Sequence, residues 1–203
     1  MSVESNARDA HGRAACVFCG SRLGADPAYA ACASRLGALL AERGIRLVYG
    51  GGGVGLMDTV ASATLAAGGE VTGVIPQFLE RREVGKVGLT EMVVVDSMHE
   101  RKRRMFERAD GFVILPGGVG TLDEAFEIVS WRQLRLHDKP IVLLDVGGYW
   151  APFVALLDGI IDGGFAPAET RDLVHVATSP EAAVEVLERA PITPRVPTPV
   201  ERL

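Results

Sequence analysis

The chain has 203 residues, a length that fits one α/β domain, and 48% of them are hydrophobic, ample material for a core. Aromatics make up only 6%, so aliphatic side chains must build most of that core. The formal charge of −5 excludes general attraction to a polyanion.

A nucleic-acid footprint would need a local basic patch. The one candidate, Arg101–Arg104, is short and is followed by Glu107 and Asp110, so no nucleic-acid partner is expected. No stretch has the apolar length of a bilayer span, and the polar opening residues lack the hydrophobic segment of a signal peptide. The expectation is a cytoplasmic protein with no membrane partner.

Residues 1–12 read as a flexible arm, 13–190 as one domain, and 191–203, rich in proline, as a tail. A first strand is predicted at Ala14–Cys19. Asp26-Pro27 opens a helix that runs to about Arg43, with proline at an early helical position where its missing N–H costs nothing. Gly44 stops it, and Ile45–Tyr49 forms the second strand. After the turn Gly50–Gly53 a helix runs to about Ala67. The third strand, Glu70–Ile75, is closed by Pro76, and Gln77–Lys86 reads as a surface connection.

The fourth strand is predicted at Glu91–Val95 and a helix from Ser97 to Arg108. The fifth strand, Gly111–Leu115, leads through Pro116-Gly117-Gly118 into a helix from Val119 to about Arg135. Pro140–Asp145, a helix over Tyr149–Asp162, a short strand near Leu173–Val176 and a helix over Pro180–Arg189 complete the order. The strands are short apolar runs rather than alternating ones, as in sheets covered on both faces. Strand–helix alternation throughout predicts a Rossmann-like, doubly wound α/β sheet, mainly parallel, with helices on both faces.

Cys16 and Cys19 form a C-x-x-C within an apolar strand. A redox dithiol belongs at a helix N-terminus, and a zinc site needs a second ligand pair that the chain lacks. No metal and no cofactor are expected.

Two glycine turns fall where the carboxyl ends of strands gather ligands in such sheets. The first, PGGVGTLDE at Pro116–Glu124, follows a strand and opens a helix. Free N–H groups of a first helical turn and the helix dipole favour an anion, and Thr121 adds a hydroxyl. Glu124, four residues after Gly120, falls about one helical turn further on, beside the sugar of a ligand whose phosphate lies at the turn. The second turn, Tyr49–Asp58, lacks the Gly-Lys-Ser/Thr of a phosphate loop and the acidic residue of a dinucleotide site; Pro76 and Gln77 stand there instead. In the helix Met98–Met105, Arg101 offers a planar fork for phosphate or a polarised ring, and Lys102 a mobile charge. Met98 shares a face with Arg101. Arg103 and Arg104 read as a solvated face.

Taken together, these segments resemble the Lonely-guy family of cytokinin riboside 5′-monophosphate phosphoribohydrolases, whose members have often been labelled lysine decarboxylases. The resemblance spans about residues 14–190 and rests on VFCGS at Val17–Ser21, YGGGGVGLM at Tyr49–Met57, GVIPQFL at Gly73–Leu79, SMHERK at Ser97–Lys102, PGGVGTLDE at Pro116–Glu124 and WRQLRLHDKP at Trp131–Pro140. It implies a homodimer that hydrolyses the N-glycosidic bond of a purine nucleoside 5′-monophosphate. Arg101 and Glu124 are the implied catalytic pair. Gly117, Gly118, Gly120 and Thr121 would hold phosphate, Met98 and Lys102 would line the pocket, and Ser21, Gly51 and Gly52 are further substrate contacts. The alternative is a non-catalytic nucleotide-binding or carrier protein. Four positions depart from the family pattern: Asp58 and Arg135 stand where glycine is usual, Arg22 replaces a common serine, and Lys86 a common histidine.

Overall fold

In the computed structural model, residues 12–80 and 85–191 are described. The arm expected over 1–12 and the tail over 191–203 therefore lie outside the described residues, apart from Gly12 and Pro191. The elements are β1 (Ala14–Phe18), α1 (Pro27–Glu42), β2 (Arg46–Tyr49), α2 (Gly55–Ala66), β3 (Val71–Pro76), α3 (Gln77–Glu80), β4 (Glu91–Val95), α4 (Met98–Arg108), β5 (Gly111–Ile114), α5 (Val119–Gln133), β6 (Ile141–Leu144), α6 (Ala151–Asp162), β7 (His175–Ala177) and α7 (Pro180–Arg189).

Seven strands form one sheet in the order β4-β3-β2-β1-β5-β6-β7, and every pairing is parallel. The chain steps outward from β1 to β4, then returns to lay β5 on the other side of β1. The crevice between the ends of β1 and β5 is thus the point where strand order reverses, the usual ligand position in open α/β sheets. Successive side chains of β1 point to opposite faces. Ala15 and Val17 pack with Leu36, Leu40, Val60 and Leu187 of α1, α2 and α7. Ala14, Cys16 and Phe18 pack with Met105, Phe106, Ile128 and Phe153 of α4, α5 and α6. Cys16 and Cys19 accordingly belong to different layers. Burial, reinforced by the Glu124 charge, holds the Cys16 thiol well above its usual range. No helix among the described residues is long and apolar enough to cross a membrane.

Two details differ from the sequence expectations. The connection after β3 begins with a short helix, Gln77–Glu80. A 3-10 turn, Ala168–Leu173, precedes the last strand, which starts at His175 where its pairing with Val142 begins.

The turn from α5 to β6 is bound by its own backbone. Leu136 N–H donates to the Trp131 carbonyl at 2.9 Å and Arg135 N–H to the Arg132 carbonyl at 3.0 Å, the paired bonds of a Schellman ending. That ending requires a left-handed residue, and Arg135 takes it at φ 59°. Beside it, His137 Nε2 donates to the Ile128 carbonyl at 2.9 Å while Nδ1 accepts from Lys139 N–H at 3.1 Å. This arrangement needs a neutral ring, and burial lowers the His137 pKa to about 4.

Two outcomes follow for stability. Arg135→Gly removes the left-handed strain and is expected to stabilise the fold by about 0.5–1 kcal/mol in urea unfolding, after the entropy glycine restores to the unfolded chain. For His137, the unfolded ring takes up a proton first, near pH 6.5. Its contribution is full above that pH and is lost as pH falls towards about 4. The unfolding free energy of His137→Gln is therefore expected to decline less steeply through this window than that of the wild type. Equal slopes in the two proteins contradict the assignment.

Candidate active site

Gly118 is the N-cap of α5 and, having no side chain, makes no capping hydrogen bond. The first amide N–H groups of the helix are left for a ligand, and the dipole favours a negative one. The turn is held from behind. Leu115 N–H donates to the Phe18 carbonyl at 2.9 Å and Gly20 N–H to the Pro116 carbonyl at 3.0 Å, so the ends of β1 and β5 stay in register. The Tyr149 hydroxyl donates to the Gly117 carbonyl. Thr121 is buried, and a Cβ added to Gly117 would lie 2.1 Å from its hydroxyl oxygen. Only glycine lets the turn fold this closely over Thr121. A cavity of about 210 Å³ opens here, walled by Gly20 and Ser21, by Gly118–Thr121, and by Arg101 and Glu124.

Arg101 and Glu124 are each only 7% exposed. Ser97 caps α4 by accepting from Glu100 N–H at 3.1 Å, which sets Arg101 in the first turn of the helix. The guanidinium then spans three elements. Its Nε donates to the Val74 carbonyl at 3.2 Å, one Nη to the Gly50 carbonyl at 3.4 Å, and the other Nη stands 3.4 Å from Glu124 Oε1. A Cβ on Gly50 would sit 2.0 Å from the guanidinium, so no other residue admits Arg101 there. Ion pairs this deeply buried are often no more stabilising than apolar replacements, because desolvation offsets the attraction. Stability alone therefore does not account for a guanidinium and a carboxylate on the wall of a cavity.

The structure brings Ser21, Gly118, Gly120, Thr121, Arg101 and Glu124 together around this cavity, with Gly117 directly behind. It places the other candidates elsewhere. The Gly51 carbonyl accepts from Lys86 N–H at 3.0 Å and Gly52 bridges Gly85, so both glycines hold the connection between β3 and β4. Lys102 pairs with Asp123 at 3.2 Å and Glu127 at 2.9 Å, clamping α4 to α5. Met98 is half-buried at the start of α4. Gly50 was missed, although it opens the run of four glycines; nothing local in the sequence says which of the four will meet an arginine from a distant helix. Two of the departures from the family pattern meet each other: Lys86 Nζ lies 2.5 Å from Asp58 and 2.7 Å from the Ser62 hydroxyl.

A second cavity of about 320 Å³ adjoins the first, sharing Gly20, Ser21 and Gly118 with it. Its walls are largely apolar, with Leu23, Tyr29, Leu56 and Tyr149, and Arg22 lines it as well.

Gly120 is the second residue of α5, and an added Cβ there would meet nothing within 4 Å. Helix propensity therefore predicts that Gly120→Ala stabilises the protein, by about 0.5–1 kcal/mol in urea unfolding. The new methyl would also crowd the mouth of the anion cavity, so calorimetric affinity for inorganic phosphate should fall. A variant that gains stability and binds phosphate like the wild type would remove this helix end from the anion's path.

The family model described as "Possible lysine decarboxylase" matches residues 57–187. A cytokinin riboside 5′-monophosphate phosphoribohydrolase of Arabidopsis thaliana is 44% identical over 173 residues, covering 85% of this chain and 80% of that protein. One from Oryza sativa subsp. japonica is 44% identical over 176 residues, covering 87% and 73% respectively. Among solved structures, the molybdenum cofactor carrier protein of Chlamydomonas reinhardtii superposes with a TM-score of 0.68 at 21% identity, covering 87% of this chain and 96% of that one. The molybdenum cofactor binding protein of Rippkaea orientalis gives 0.67 at 22%, covering 89% and 98%. At these identities the two structures establish the shared fold alone. The extent and identity of the sequence matches place this chain in the Lonely-guy family of cytokinin riboside 5′-monophosphate phosphoribohydrolases.

Proposed function

We propose that the protein hydrolyses the N-glycosidic bond of purine nucleoside 5′-monophosphates of the cytokinin type, such as N6-isopentenyladenosine monophosphate or AMP, releasing the free base and ribose 5-phosphate. The observation that carries this reading is the buried Arg101–Glu124 pair, 3.4 Å apart, on the wall of a cavity that begins at an uncapped helix N-terminus.

In this reading the 5′-phosphate docks on the amides after Gly118 and on the Thr121 hydroxyl. The fixed phosphate lowers the entropic barrier by holding the sugar in place. Glu124 lies about one helical turn further along, near the anomeric carbon. Cleavage passes through an oxocarbenium-like state, in which a carboxylate stabilises the positive sugar and orients water for attack. The departing base gains negative charge, and the Arg101 guanidinium, held by two backbone carbonyls, stabilises it without having to reorganise. No cofactor enters the reaction. The homodimer belongs to the same proposal, and Val119, 84% exposed at the mouth of the cavity, is an apolar contact available to a second subunit.

Incubation with AMP, followed by chromatography, should show free adenine. Glu124→Gln is expected to lower kcat by about a hundredfold or more with the fold intact. Full turnover in this variant would refute the role given to Glu124. Tight AMP binding without adenine release from the wild type would point instead to a carrier.

A further inference from the structure

We infer that Arg22 supplies the fixed positive charge by which the site distinguishes a nucleoside 5′-monophosphate from the uncharged nucleoside; this rests on the function proposed above. A phosphate monoester carries nearly two negative charges at neutral pH. A helix N-terminus offers the equivalent of about half a positive charge, so amides alone leave most of the anion uncompensated.

The cations nearest the site are already committed. Arg101 is bound to Glu124 and to two carbonyls, and Lys102 is shared by Asp123 and Glu127. Across the two adjoining cavities, the lining cations are Arg101 and Arg22. Arg22 is exposed and has no carboxylate within ion-pair range among the described residues. It lines the second cavity together with Gly117 and Gly118, beside the first amides of α5.

Its backbone is anchored. Gly20 N–H bonds the Pro116 carbonyl at 3.0 Å, and Leu56 N–H bonds the Gly20 carbonyl at 3.1 Å. Gly55 packs so closely that a Cβ on it would lie 2.4 Å from Arg22 N. The arginine side chain thus starts from a point clamped between the N-termini of α2 and α5. Its planar fork suits two phosphate oxygens at once.

The test compares wild type, Arg22→Ala and Arg22→Lys. Kinetics are run with AMP, and calorimetric binding with AMP, ribose 5-phosphate and adenosine, at low and high salt. Arg22→Ala is expected to raise KM for AMP by about two- to fivefold, as for one exposed charge pair, with kcat within about 1.5-fold. Affinity for ribose 5-phosphate should fall by a similar factor, that for adenosine should stay put, and the salt dependence of AMP binding should flatten. Arg22→Lys should recover part of the loss. An unchanged KM and phosphate affinity, a loss shared equally by adenosine, or a fall in kcat alone would overturn the inference. If the wild type releases no adenine, the hydrolase reading fails, while ribose 5-phosphate binding still decides the role of Arg22.

Discussion

A guanidinium taken out of water must find acceptors for its N–H groups, and the way Arg101 finds them organises this protein. The acceptors are the carbonyl of Gly50, just past the end of β2, the carbonyl of Val74 within the neighbouring β3, and a carboxylate on a helix across the sheet's crevice. The Val74 carbonyl is available because β2 ends beside it, its last partner on β3 being Gly73, while β3 runs on against β4. The need for these acceptors fixes Arg101 at the carboxyl edge and demands a bare glycine at position 50. It also ties α4, β2, β3 and α5 into one unit, since displacing any of them leaves a buried charge without a partner. The chemistry proposed for the site uses this same unit, with no separate catalytic scaffold.

The second organising element is the pair of glycine turns, which do different work. The turn after β5 exposes helix amides, while the turn after β2 receives Arg101 on Gly50 and the β3–β4 connection on Gly51 and Gly52. The short loop after β1 lies between the two helix starts and bonds to both sides. It is the natural place for a residue that reads the bound anion, because its backbone cannot drift relative to either glycine turn.

Much of this was legible in the sequence, for identifiable reasons. Apolar runs such as LVY and FVIL, each followed by glycine or proline, mark parallel strands and their ends without reference to anything distant. The helix beginning at Val119 and the one-turn spacing from Gly120 to Glu124 are equally local facts, so the anion turn and its carboxylate could be read directly. What could not be read was the outcome of packing between distant segments. Lys102 stands next to Arg101 in the chain, yet one helical step turns it towards Asp123 and Glu127 and away from the cavity. Likewise, the division of labour among Gly50, Gly51 and Gly52 depends on which segments arrive from β3 and α4. The start of the last strand shifted because strand pairing with β6, and not the apolar run itself, decides where extension begins.

The Asp58–Lys86–Ser62 cluster makes two distant positions of the chain depend on each other. Lys86 is the more enclosed partner, its side chain 15% exposed against 42% for Asp58. A lysine arriving there by itself would be a half-sequestered ammonium with only a hydroxyl for company. An aspartate arriving first would sit in the opening turn of α2, where the dipole welcomes it. Of the two, the acid is therefore the one that stands more easily without its partner. Any chimera that exchanges the β3–β4 loop with a relative must carry residue 58 along with residue 86.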